Sequence, residues 1–179
     1  LIPVAAGAGG HAGTTSPFAL MQEIREWFDG PVALSGSIAH GQSILAAQAM
    51  GADFAYIGSA FIATKEANAV QGYKENIVEA KASDIVYSSL FTGVHGNYLR
   101  QSIVKAGMNP DNLPEGDIST MNFGSGGNTE AKAWKDIWGS GQGIGAVKEV
   151  QSVADMVGRL DGEYRAAKAR RDGAYRKGW

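Results

Sequence analysis

Short apolar runs at residues 1–6, 31–34 and 54–57 recur roughly every 25 residues, each followed by a small or glycine-bearing turn. Helical periodicity fills the intervals. Ser16 stands as N-cap before Pro17, and Phe18, Leu20, Met21, Ile24, Trp27 and Phe28 follow at near-helical spacing up to Asp29-Gly30. Residues 41–50 form an alanine-rich helical stretch that stops at Gly51, and Phe61 to Thr64 leads outward from the third run. Apolar runs alternating with helical stretches predict parallel strands joined by crossovers, hence an α/β fold.

After Thr64 the rhythm changes. Residues 68–81 read as a helix carrying Tyr73, Ile77 and Val78, and 85–91 as an extended segment closed by the turn Thr92-Gly93. Residues 97–106 read as helix, 107–123 as a loop with Pro110 and Pro114, and 131–138 as a short helix with Trp134 and Trp138 four apart. A glycine-dense loop spans 139–145. The terminal helix over 152–169 places Val153, Met156, Val157, Leu160 and Tyr164 on one side, and the polar tail beyond it is expected to fray. No linker interrupts the chain, so one domain is expected.

Two turns carry the candidate chemistry: Ser35-Gly36-Ser37 after the second run and Gly58-Ser59 after the third. Glycine lets backbone N–H groups turn towards an anion, and a following helix directs its positive end to the same place. Two such turns on neighbouring strands can grip one phosphate, as the loops after the last two strands of (β/α)8 barrels often do. Ordinary turns have the same composition. Spacing leaves both readings open.

Composition narrows the classes. The 179 residues carry a net charge of −2, which argues against a nucleic-acid partner, and the basic stretch from Arg165 to Lys177 reads as a solvated helix end. With no cysteine, disulfides, thiolate metal sites and cysteine nucleophiles are excluded. No apolar run is long enough to span a membrane and no signal peptide is visible, so a soluble cytoplasmic protein is expected. The chain opens on Leu1 within an apparent core strand, so a missing front part is also expected.

Several segments resemble the nitronate monooxygenase family, also called 2-nitropropane dioxygenases. They are Ala8-Gly9-Gly10-His11-Ala12-Gly13, Leu34 to Ile38, Ala49 to Asp53, Ile57 to Thr64, Phe91-Thr92-Gly93 and Trp138 to Gly145. The resemblance covers this whole chain but about the second half of a family member. It implies a TIM barrel that holds FMN, with residues 1–64 supplying the last three β/α units and residues 65–179 a helical and loop extension. The N-terminal half of the barrel would be missing. The implied reaction is oxidation of alkyl nitronates by O2 to a carbonyl compound and nitrite, with nitronate or nitroalkane and O2 as small-molecule partners and a homo-oligomer possible.

By the same resemblance, Gly36, Ser37, Gly58 and Ser59 would hold the FMN phosphate, and Ala8, Gly9 and Gly10 would run beside the flavin. Ser35 and Gln142 are further candidate FMN contacts, each with a structural-turn alternative. His11 is the expected catalytic residue: an imidazole titrates near neutral pH and can take a proton from a nitroalkane carbon. Its bland alternative is a histidine bonded to loop backbone. His40 reads as a loop residue that could also add charge near the phosphate, and His95 stands where the family often carries an arginine nearby. Trp134 and Trp138 read as packing. NAD(P)H-dependent flavin reductases of the quinone reductase or enoyl-ACP reductase type share these motifs and form the alternative function. No metal ligand set is expected.

Overall fold

The computed structural model describes residues 1–116 and 136–176. Within them, strands β1 (Gly10–His11), β2 (Ala33–Ser35), β3 (Phe54–Tyr56), β4 (Ile85–Ser88) and β5 (Gly96–Leu99) alternate with six helices. These are α1 (Pro17–Arg25), α2 (Gly41–Ala49), α3 (Ser59–Ile62), α4 (Gln71–Glu79), α5 (Arg100–Lys105) and α6 (Val153–Arg176). The expected helix over 131–138 falls outside the described residues except for 136–138, and Trp134 lies outside them entirely.

The three apolar runs do lie side by side and parallel. Ser35 of β2 pairs with Tyr56 of β3, while on its other side β2 meets residues 1–5. There Ala33 N–H donates to Leu1 O at 2.9 Å, Ser35 N–H to Pro3 O at 3.0 Å and Ala5 N–H to Ser35 O at 2.9 Å. Crossover helices connect the strands, as parallel pairing requires.

Local chemistry starts and stops these helices as the sequence suggests. Ser16 Oγ accepts the Phe18 N–H at 3.3 Å with Pro17 just inside α1. Met21 and Ile24 face inward with Ala5, Val32, Leu34, Ala47 and Ala52, forming one core between α1, α2 and the parallel strands. Met21 is fully buried, so truncation to alanine would cost about 2–5 kcal/mol. The expected apolar face is narrower than its pattern, because Phe18 and Trp27 are both more than 60% exposed. Arg25 closes this layer: its guanidinium donates to the carbonyls of Phe28, Gly30 and Gly51 and pairs with Asp53 at 2.9 Å.

A second core joins Ala39, Ala60, Ala63, Ile77, Leu99, Ile144, Met156 and Leu160, bringing α3, α4 and α6 against the turns that follow β2 and β3. α6 seats on α2, where Tyr164 Oη donates to Gln48 Oε1 at 2.7 Å.

The region after Thr64 departs from the expected helices and loops. β1, β5 and β4 form an antiparallel sheet in that order. Residues 96–99 are therefore strand, and the helix expected over 97–106 starts only at Arg100. The physical reason is tertiary: all four residues of β5 are buried between two partner strands, which outweighs the helical periodicity of Leu99, Ile103 and Val104. Likewise, Gly10–His11 reads as loop in sequence but pairs with β5 at Gly10–Asn97 and His11–Gly96. No helix among the described residues is long and apolar enough to cross a membrane.

Candidate functional site

Both glycine turns reach the same place. Gly36 (φ 136°) and Ser37 (φ 55°) reverse the chain after β2, and the left-handed conformation of Ser37 is unusual for a residue with a side chain. Gly36 is required by contact as well as by φ, since a Cβ there would lie 3.0 Å from Ala6 O. After β3, Gly58 caps the short α3, which Ser59 opens. Two further loops close on these turns. Gly7 O accepts from Ser37 N–H at 3.3 Å and from Gln142 N–H at 2.9 Å, while Ser59 Oγ accepts the Gly141 N–H at 2.8 Å.

The result is one concavity with a floor of backbone. Ala8, Gly9, Ser35, Gly36, Ser37, Gly58 and Ser59 all line it, together with Gly141 and Gly143. Among the described residues, none of its lining side chains is charged. An anion there would be met by N–H dipoles and hydroxyls. Gly9 is small because of the protein itself: a Cβ would sit 2.8 Å from both Gly141 N and Ser59 Oγ.

An adjoining cleft of about 430 Å3 shares Gly9, Ser35, Tyr56, Gly58 and Ser59 with the concavity and adds Gly10. Its far wall is apolar, built from Ile62, Ile137, Tyr73, Tyr98 and Trp138. Tyr73 and Trp138 stack with centroids 5.0 Å apart and planes 12° from parallel. The Tyr73 hydroxyl donates to Gly139 O, and burial pushes its pKa up to about 12. Two buried hydroxyls near the loops, Tyr98 Oη and Ser140 Oγ, have no hydrogen-bond partner among the described residues. A buried orphan of this kind costs about 1–3 kcal/mol.

The remaining candidates fall into different places. His11 follows Gly10 on β1, is exposed, and lines neither of these two hollows; its Nε2 lies 2.8 Å from Thr92 Oγ1. Gln142 is exposed and contributes its backbone N–H to the loop junction, while its neighbours Gly141 and Gly143 do the lining. His40 is more than a plain loop residue. It is the N-cap of α2, with Nδ1 accepting the Gln42 N–H at 3.1 Å and Nε2 lying 3.3 Å from Glu163. Glu163 also accepts the Gly41 N–H at 2.8 Å, so a carboxylate of α6 already occupies the positive end of α2. The expectation that this helix directs its positive end to the same anion as the turn is therefore corrected: Glu163 takes that place. His95 stacks on Tyr87 at 4.9 Å. Among the described residues no acidic or histidine cluster is suited to a metal ion.

Sequence reasoning missed Thr92, Tyr56, Tyr73 and Tyr98. Thr92 was visible as part of a Thr-Gly turn and of the Phe91-Thr92-Gly93 segment but was given no role, and Tyr98 was hidden by reading β5 as helix. Trp138 packs, as its spacing suggested, but in doing so it also forms cleft wall.

A model of the nitronate monooxygenase family matches residues 2–163. The chain belongs to the nitronate monooxygenase family. A Mycobacterium tuberculosis protein named as a monooxygenase is 34% identical over 105 residues, covering 58% of this chain and 28% of that one. The nitroalkane oxidase of Streptomyces ansochromogenes aligns with a TM-score of 0.72 at 24% identity, over 94% of this chain and 52% of that chain. FabK from Thermotoga maritima aligns with a TM-score of 0.71 at 22% identity, over 97% of this chain and 56% of that chain. These likenesses show a shared α/β fold. The chain spans less than half the length of the curated relatives it matches.

Proposed function

We propose that this chain is the C-terminal part of an FMN-binding TIM barrel that oxidises alkyl nitronates with O2 to a carbonyl compound and nitrite. Residues 1–64 act as its last three β/α units and residues 65–179 as an extension packed on them. The observation that carries this reading is the meeting of both glycine turns with the 7–9 and 141–143 loops on one backbone-lined concavity.

The residues present fit the cofactor. A cradle this crowded with glycine admits a phosphate close to the main chain, and the Ser37 and Ser59 hydroxyls add donors around it. Ser59 accepts from Gly141, which leaves its own O–H to donate. No described atom lies within 4 Å of a Cβ position at Gly10, which leaves room for a flat ring system beside it. When bound, FMN supplies the electron transfer between nitronate and O2.

The protein's own part is binding and proton handling. His11 accepts the proton from a neutral nitroalkane, or hydrogen-bonds the nitronate once formed. The Tyr73–Trp138 wall shelters the hydrocarbon portion of the substrate from water. That wall is equally suited to a nicotinamide ring, which favours an NAD(P)H-dependent flavin reductase as the second reading.

One assay separates the two. On protein loaded with FMN, nitronate should drive O2 uptake with release of nitrite, and NADH should be oxidised slowly. Rapid NADH turnover with a quinone or enoyl thioester, and none with nitronate, would replace the first reading by the second.

A further inference from the structure

We propose that Tyr98 is a substrate-binding residue whose hydroxyl donates a hydrogen bond to an anionic oxygen of the nitronate in the cleft. The inference deepens the reading above and rests on it for the identity of the ligand.

Two hydroxyls belong to the far wall of the cleft among the described residues, those of Tyr73 and Tyr98. The Tyr73 hydroxyl donates its single proton to Gly139 O. Tyr98 Oη is buried and has no hydrogen-bond partner among the described residues. A phenol carries one donor, so Tyr98 holds a proton that the fold leaves unused.

Packing keeps the phenol in this place. Tyr98 is 3% exposed, its backbone pairs with Val86 of β4 and bridges to Gly139, and the next residue, Leu99, donates its N–H to Trp138 O at 2.8 Å. The side chain packs with Ile103 and Ile137, and Phe91 meets the ring edge-on with centroids 4.9 Å apart. Phenylalanine would make the same contacts without stranding a hydroxyl. Gly96, two residues earlier on the same face of β5, leaves room beside that hydroxyl: a Cβ there would lie 2.9 Å from Tyr98 Oη. The chain thus keeps a polar atom where the fold alone gains nothing from it.

A nitronate supplies the missing partner. Its negative charge rests on two oxygens that can only accept, and an anion brought against an apolar wall needs a donor. Tyr98 lines the cleft and not the neighbouring concavity, whereas Gly9, Ser35, Gly58 and Ser59 line both. A phosphate in the concavity and the ring attached to it therefore occupy the shared side, and the far wall faces the substrate. The Tyr98 ring already borders the cleft, so a small rotation brings its hydroxyl to the bound anion.

Tyr98→Phe in the FMN-loaded full chain tests each part of this. A stranded hydroxyl costs the fold stability, so the variant should melt at or above the wild-type temperature. FMN affinity should be unchanged. With a preformed nitronate, KM should rise about tenfold while kcat stays within about twofold, as loss of one hydrogen bond to a charged group gives. Benzoate is an unreactive planar anion with two acceptor oxygens, and calorimetry should show it binding the variant about tenfold more weakly. A lower melting temperature would show the hydroxyl spent on the protein, and weaker FMN binding would assign it to the cofactor. An unchanged KM or an unchanged benzoate affinity would leave it without a ligand. Each of these results overturns the proposal. Tyr98-dependent benzoate binding in a wild type that consumes no O2 with nitronate would instead remove the functional reading and keep Tyr98 as the donor to an anion.

Discussion

Ser59 Oγ accepts the backbone N–H of Gly141 across 82 residues of sequence at 2.8 Å, joining the turn after β3 to the second glycine loop. One hydroxyl thus holds two walls of the concavity together. Ser59→Ala leaves that part-buried N–H without an acceptor and should destabilise the fold by about 1–3 kcal/mol, read as a lower midpoint in denaturant. FMN affinity should fall about tenfold in the same variant, because the cradle also loses a donor.

The two neighbouring glycines of the first loop should respond differently. Gly9→Ala drives a methyl to 2.8 Å from Gly141 N and Ser59 Oγ, and overpacking of this kind costs about 1–3 kcal/mol. Gly10→Ala meets no described atom within 4 Å, and its backbone (φ 71°) resists by about 1–2 kcal/mol. Thermal melts of both variants measure stability. FMN titration should show Gly10→Ala the more harmful to binding relative to its effect on stability, since its methyl enters the cleft.

That pair shows what the sequence could and could not reveal. The meeting of Gly36, Ser37, Gly58 and Ser59 was legible, because parallel strands at crossover spacing must bring successive strand-end turns together. The reason for Gly9 was not. It is imposed by Gly141, more than a hundred residues away, and no periodicity encodes such a contact. β5 was misread for a related reason: Gly96-Asn97-Tyr98-Leu99 becomes a strand only because β1 and β4 lie on either side of it. His40 and Glu163 form their cap across the α2–α6 packing, which a single chain pattern does not announce.

His11→Asn should leave FMN binding intact and slow a neutral nitroalkane more than a preformed nitronate, since only the former must lose a carbon-bound proton. Steady-state O2 uptake with both substrates checks this. Equal losses on both would show that His11 serves in binding rather than as a base.

Acid stability should depend on Asp53. The Val32 N–H, then the Arg25 guanidinium, hold its carboxyl below the usual 3.8. Because the folded value is the lower one, its contribution is present above about pH 4 and is lost as pH falls through the folded value. Asp53→Asn should therefore differ from wild type in denaturant midpoint at pH 7, and the difference should shrink in acid.

Alkaline behaviour should depend on Tyr73. Burial raises its pKa to about 12, so its stabilising contribution is complete below about pH 10 and is lost as pH rises through 12. Ultraviolet titration of wild type against Tyr73→Phe should show one phenol still neutral at pH 11 that the variant lacks.

Paired titrations with FMN and riboflavin, which differ by the phosphate alone, test the cradle most directly. The account predicts FMN binding at least about 100-fold tighter, as two or more charge-assisted hydrogen bonds to the phosphate would give, and most of that advantage lost in Gly36→Val. Equal affinity for the two flavins, or an advantage untouched by Gly36→Val, would contradict it.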